Sequence, residues 1–294
     1  MNREEFLEAR RAGIGSSDAA PIIGLCPYRT ALSVYLDKIG RAEEWREMPA
    51  PLEWGIRKEP VIAAAVADKL GWELRKLPIV AHPEYPWIVA NVDRINGGGE
   101  IVEIKSTARA AGWGTPDTDE IPANYWAQVQ HQLAVVESAP LAWVFVLVGQ
   151  CDFRRYRVAR DPDYFGEVFP VYREFWDHVQ ECVPPAPEWD HPGCLASVQR
   201  LYESQKGKTV ALGVDAAALA SEYAFLGQRA SEIEKARESI KARLVAALGD
   251  AETGTLDDGR QVKRRQVERK GYAVKPATYW DFRISTPKGD YDRE

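Results

Sequence analysis

The chain has no apolar run long enough to cross a membrane. The longest, Leu141-Ala142-Trp143-Val144-Phe145-Val146-Leu147-Val148, has the length of a buried strand. A signal-peptide core is also missing: the start, MNREEFLEARR, alternates acidic and basic residues, so the expected address is the cytoplasm. Cysteine is scarce. Cys26, Cys151, Cys182 and Cys194 form no CxxC pair, and Cys182, His191 and Cys194, with His178 nearby, match no common zinc spacing. Free structural thiols in a reducing compartment are expected. Nor is there an excess of positive charge. The 38 basic and 44 acidic residues leave a net −6, which excludes a surface coated in nucleic-acid contacts but permits a local basic groove.

The rest is ordinary for a soluble globular protein, with 45% hydrophobic and 28% charged residues over 294 positions. That length suits one large domain, or a domain with an appendage. Ten tryptophans and twelve tyrosines are many, and their large area assigns most of them to a core or an interface.

One stretch, DRINGGGEIVEIK from Asp93 to Lys105, has a pattern suited to chemistry. It predicts a strand, a tight Gly97-Gly98-Gly99 turn and an alternating strand, Ile101 to Lys105. Such a hairpin brings Asp93 near Glu103 and puts Lys105 on the face of Glu103. Two acids and a lysine in that arrangement suit a divalent ion and a water activated beside it.

Around it the pattern predicts helices from Glu4 to Arg11, Ala19 to Ile23, Ala31 to Ile39 and about Ile56 to Leu70, with Gly24, Gly40 and Gly71 as stops. Ser16, Ser17 or Asp18 caps the second of these. That lead-in is either a capped turn or a seat for a phosphate. Glu59 falls in the first turn of the fourth helix, beside Pro60. Trp72 to Val80 reads as a strand, and Ser106 to Glu120 as a mobile loop.

Pro122 starts a helix through Val136 that carries Tyr125, Gln128 and Gln132 on one face. That face is either solvated or aimed at a phosphate or a water. Strands follow at Leu141 to Val148 and Cys151 to Arg160, then a helix from Asp161 to about Cys182. Three regions result: 1–183, a linker at 184–214 opened by Pro184-Pro185-Ala186-Pro187, and 215–294. The last holds an alanine-rich helix, Asp215 to Leu248, with apolar residues at alternating three and four spacing, a packing seam. Strands are expected beyond it. There Arg260, Lys263, Arg264, Arg265, Arg269, Lys270 and Lys275 face only Glu268 in charge, either as a solvated sheet face or as a surface for nucleic acid or a partner.

Asp93, Glu103 and Lys105 fit the D…E-x-K pattern of PD-(D/E)xK nucleases. Four further segments stand in order with it: R-x-G-I-x-x-S (Arg11 to Ser17), W-G-x-x-x-E (Trp54 to Glu59), Val92-Asp93 and Y-x-A-Q-V-Q (Tyr125 to Gln130). The set resembles the phage lambda exonuclease and YqaJ-like viral recombinase family over roughly residues 5 to 180. The family's usual proline before the first acid is Val92 here, a change that touches no ligand.

The resemblance implies an α/β fold. A PD-(D/E)xK restriction-endonuclease-like core, a central mixed β-sheet flanked by helices, is joined to a long C-terminal helix and β-strand extension. It implies Mg²⁺, with Mn²⁺ as substitute, on Asp93, Glu103 and the backbone carbonyl of Ile104. Lys105 would orient or deprotonate the water. Glu59 would add a ligand or hold Lys105, and Gln128 would steady the water or the scissile phosphate. Arg11 and Ser17, with neighbouring Ser16 and Tyr125, would take a terminal 5′-phosphate and DNA. The implied activity is 5′→3′ exonuclease on duplex ends in phage-type recombination, of phage or prophage origin, by a homo-oligomeric ring with a single-strand annealing protein as partner. The alternatives are an endonuclease of the same fold, an iron–sulfur nuclease of the superfamily, and a nuclease-fold protein that only binds DNA or a recombinase.

Overall fold

The computed structural model describes residues 11–41 and 48–268. The helix expected at Glu4 to Arg11 and the basic residues Arg269, Lys270 and Lys275 fall outside them, except for Arg11 itself. The chain divides into two compact units, Met1–Ser204 and Gln205–Glu294. Among the described residues, no helix is long and apolar enough to cross a membrane.

The first unit is built on a five-stranded sheet in the order β1-β4-β5-β6-β7. Its strands are β1 (Leu74–Arg75), β4 (Arg94–Asn96), β5 (Ile101–Thr107), β6 (Leu141–Val148) and β7 (Asp152–Ala159). The β4–β5 and β6–β7 pairs are antiparallel hairpins, as their alternation predicts. β5 and β6 are parallel, so the chain must cross over between them, and α4 (Ala123–Val135) makes that crossing. The expected strand over Trp72 to Val80 is instead β1 and a separate strand, β2 (Val80–Ala81), which pairs with β3 (Val89–Ala90).

Alternation on β5 sorts the two cores. Ile101 joins a cluster with Val129 and Leu133 of α4 and Tyr172 and Phe175 of α5 (Tyr164–Gln180). Val102 and Ile104 face the other side, against Ile62, Ala63 and Val66 of α3 (Ala50–Leu70). Glu103 and Lys105 therefore point to the α4 side. α3 begins earlier than expected, after Pro49, so Glu59 lies near its middle and Pro60 within it. The first turn of a helix has amides without helical acceptors and so tolerates proline, which makes Pro60 look like a start.

The N-terminal segment is pinned onto β3. Ile14 donates to Trp87 O at 2.7 Å and accepts from Val89 N at 2.8 Å. Gly13 passes so close that a Cβ there would stand 2.4 Å from Trp87 O, which leaves room only for glycine. α1 runs from Ser16 to Ile22, starting before the expected Ala19, and Asp18 caps it by accepting from Gly15 N at 3.1 Å. The same carboxylate meets Lys38 of α2 (Ala31–Lys38) at 2.6 Å, a buried pair that ties the two helices.

Two connecting segments are more structured than their composition predicts. The loop after Thr107 docks along β7: Asp117 N donates to Arg155 O and Arg157 N to Thr118 O, while Trp113 is buried beside Tyr125 and Tyr156. The expected linker contains α6 (Cys194–Leu201), whose Ser197 Oγ lies 3.2 Å from Thr30 Oγ1 and whose Arg200 donates to Asp37. Glu188 caps Ala31 N at 2.8 Å. This stretch belongs to the first unit, which extends to Ser204.

The second unit holds α7 (Val214–Leu248) and a hairpin of β8 (Thr253–Thr255) and β9 (Gln261–Lys263). Arg260, Lys263, Arg264 and Arg265 lie exposed at that hairpin.

One buried histidine gives the first unit a pH dependence. His131 of α4 lies 2.9 Å from Val89 O through Nε2 and 3.3 Å from Tyr172 Oη through Nδ1, which suits the neutral ring with Nε2 as donor. Burial lowers its pKa to about 4, against the opposing Val89 carbonyl and Asp18. A pKa depressed by folding supports stability above the unfolded value near 6.5, and that support is lost as pH falls toward 4. Urea midpoints should therefore show the wild type losing about 2 kcal/mol between pH 7 and pH 5 that His131→Gln does not lose. Parallel losses in both proteins would refute the assignment.

Candidate active site

Asp93 ends the segment entering β4, directly before Arg94, whose register partner on β5 is Val102. The antiparallel register then sets Asp93 beside Glu103. Asp93 Oδ2 accepts from Ile104 N at 2.8 Å, which fixes the carboxyl at the strand edge. Its other oxygen takes no hydrogen bond from the described residues.

Glu103 is almost fully buried, and donors surround it. Lys105 Nζ reaches Oε1 at 2.6 Å, Gln128 Nε2 reaches Oε1 at 2.7 Å, and Gln132 Nε2 reaches Oε2 at 2.8 Å. Lys105 also donates to Gln128 Oε1 at 3.0 Å, closing a triangle among the three side chains, and its ammonium lies 4.9 Å from the Tyr125 ring centre. The face Tyr125, Gln128 and Gln132 predicted by helical spacing is thus turned into the sheet rather than to solvent.

The electrostatics follow from crowding. Burial first, then the charge of Glu103, pushes the Asp93 carboxyl up to about 7, against the pull of Lys105 and the Ile104 amide; Glu59 adds to the rise. Burial alone would lower Lys105, but Glu103 and Asp93 outweigh it and hold the ammonium above the usual lysine range. Tyr125 is raised by burial.

These groups line a cleft of about 410 Å³ that brings together Ser16, Ser17, Glu59, Asp93, Glu103, Ile104, Lys105, Tyr125 and Gln128. Arg11 is exposed and is not among its lining residues. Ser16 Oγ is buried without a hydrogen-bond partner among the described residues. Glu59 does not reach Lys105. Its Oε1 lies 2.5 Å from Arg94 Nη1, a charge contact without hydrogen-bond alignment, and Arg94 also donates to Asp93 O.

Two residues here carried no assigned role in the sequence. Gln132 had a signal, since it stands four residues after Gln128 on the same helix face. Arg94 had none: one step along the strand from Asp93 it turns toward α3, and only the packing of α3 reveals Glu59 as its partner.

Among the described residues, no group of three His, Cys, Asp or Glu side chains is placed to hold a metal. Asp93, Glu103 and the Ile104 carbonyl would be the donors to a divalent ion, an all-oxygen set suited to Mg²⁺ or Mn²⁺. The raised Asp93 is the local sign of that fit, because burial and then the neighbouring Glu103 leave its charge unbalanced. The four cysteines are free thiols.

The family model of the YqaJ-like viral recombinase domain matches residues 5–139. The uncharacterised protein YqaJ of Bacillus subtilis is 31% identical over 262 residues, covering 87% of this chain and 81% of that protein. The chain belongs to the YqaJ-like viral recombinase family. For this member, the crystal structure of the alkaline exonuclease LHK-Exo from Laribacter hongkongensis gives the fold. It superposes with a TM-score of 0.51 at 18% identity, over 61% of this chain and 94% of that one. LHK-Exo in complex with dAMP gives 0.50 at 16% identity, with the same coverage. The core of this YqaJ-like protein is therefore a central mixed sheet flanked by helices, the fold shared with that exonuclease.

The strain on Asp93 gives a test. A carboxyl raised by folding favours the folded state at low pH, and that contribution disappears as pH rises from about 4 through about 7. In chelator, Asp93→Asn should raise the melting temperature of the metal-free protein at pH 8 and do so much less at pH 5. A variant that destabilises equally at both pH values would count against the crowded pair.

Proposed function

We propose that the chain is a divalent-metal-dependent deoxyribonuclease that degrades duplex DNA from its ends with 5′→3′ polarity, in phage-type homologous recombination. The observation that carries this reading is the joining of Asp93, Glu103, Lys105 and Gln128 in one cleft, across β4, β5 and α4. Membership of a viral recombinase family and the fold of an alkaline exonuclease support it. The same reading carries a homo-oligomeric ring and a single-strand annealing protein as partner.

Asp93, Glu103 and the Ile104 carbonyl would hold Mg²⁺. When bound, the ion neutralises charge growing on the phosphate and makes a water more acidic. Lys105 enters as a cation, so its work is to orient the water and the scissile phosphate rather than to take a proton. Gln128 is fixed at both ends of its amide, to Glu103 and by Lys105, and so presents a preset geometry to whatever binds between them. Glu59 is held back by Arg94 at the cleft wall. Ser17, with Ser16 and Tyr125, lines the cleft and would take the terminal 5′-phosphate, and Arg11, exposed outside that lining, would meet it from there.

Digestion of linear duplex DNA carrying 5′-phosphate or 5′-hydroxyl ends, in Mg²⁺, tests the reading. Stepwise loss from phosphorylated ends is expected, abolished by chelator and reduced about 100-fold or more in Lys105→Ala. Cutting of closed circular DNA would sink the exonuclease reading and leave an endonuclease; no cutting with any divalent ion would leave a binding protein. Arg11→Ala should mainly erase the preference for phosphorylated ends, and an equal loss on both substrates would remove Arg11 from the pocket.

A further inference from the structure

α7 is 35 residues long and has no buried residue. Leu219, Leu226, Ile233, Ile240 and Leu244 of α7 lie in one stripe, with Phe225 outside it. Leu219, Leu226, Ile233 and Ile240 recur every seven residues and are 66%, 57%, 55% and 57% exposed. A strict seven-residue repeat is the signature of a helix that supercoils with another helix, and the stripe is too narrow for a sheet face. The intervening positions of the repeat are Tyr223, Ala230, Arg237 and Leu244.

We infer that α7 pairs with α7 of a second copy of this chain as an antiparallel two-stranded coiled coil. The charges choose both the occupant and the direction. In a parallel pair each Arg237 would face its own copy inside the seam, a like-charge contact with little water to screen it. The Arg229–Glu234 attraction available at the edge of a parallel pair does not offset that, because edge pairs are solvated and weak.

Running the helices in opposite directions removes the conflict with a single register. Leu219 meets Leu244 of the second copy, Ala230 meets Ile233, and each Arg237 meets Leu226. The aliphatic stem of Arg237 then covers the leucine, while its guanidinium stays with Glu234 of its own helix, 2.7 Å away. In the same register Glu222 stands at the edge beside Arg243 of the second copy, and symmetry makes that attraction twice. Core contacts and edge charges thus agree on one alignment.

Sedimentation equilibrium on the full chain tests the pairing. The mass of the wild type should be an even multiple of one chain, and Leu226→Asp with Ile233→Asp should halve it. A ring formed by the first unit would survive that change, so this outcome is separate from the proposed nuclease assembly. Direction is read from charge reversal, which leaves the apolar seam intact. Glu222→Lys and Arg243→Glu should each weaken association about tenfold, and the two together should restore it. A wild type that is monomeric at tens of micromolar, or an assembly unmoved by the paired aspartates, overturns the coiled coil. A double reversal as weak as the sum of its parts overturns the antiparallel register.

Discussion

The structure of the first unit turns on one buried negative charge, the carboxylate of Glu103. A carboxylate taken out of water is costly unless donors replace the water it loses. Lys105 supplies one donor from the same strand, and Gln128 and Gln132 supply two from α4. That requirement fixes the distance and rotation of α4 over β5, since both glutamines must arrive together. It also explains why β5 lies inside the sheet. Only a strand with neighbours on both sides could hold an acid so far from water without unpaired backbone beside it.

Satisfying Glu103 leaves Asp93 short of positive charge. Lys105 is already bonded to Glu103 and Gln128, and Arg94, the other nearby cation, is turned to Glu59. Asp93 has the Ile104 amide alone, which is a partial charge rather than a full one. Burial, then the charge of Glu103, raises its pKa, and Lys105 and that amide do not cancel the rise. A cleft that holds one acid well and its neighbour poorly is locally destabilised in the folded state. Functional sites commonly trade stability for function in this way.

How much of this was legible depended on the range of the contacts involved. Period-two alternation in DRINGGGEIVEIK was enough to pair Asp93 with Glu103 and to put Lys105 beside it, because a hairpin is a local structure. The 3.6 period placed Gln128 and Gln132 on one face of α4 for the same reason. What decides which way that face turns is the buried charge of Glu103, 29 positions before Gln132, and no local pattern carries that. Glu59 was misplaced within its helix because Pro60 resembles a helix start. Its partner Arg94 was invisible, since the pair forms only when α3 packs on β5. The stretch after the Pro184 run read as a linker by composition, yet Thr30, Ala31 and Asp37, far back in the chain, hold it.

The two units solve the problem of apolar surface in different ways. In the first, helices present broad faces to a sheet. On α5 the residues Val168, Tyr172, Phe175 and Val179 are all buried within the same chain. α7 is longer and bears a narrower stripe, and its Leu219, Leu226, Ile233 and Ile240 stay more than half exposed. Isolated helices draw modest stability from propensity alone, and most gain theirs by packing. The alanine-rich composition of α7 lets it form, but the seven-residue recurrence of large side chains adds nothing to a helix standing in water. A repeat kept in strict register over four apolar positions makes physical sense only against a surface with the same repeat, and among the described residues α7 is the one helix that has it.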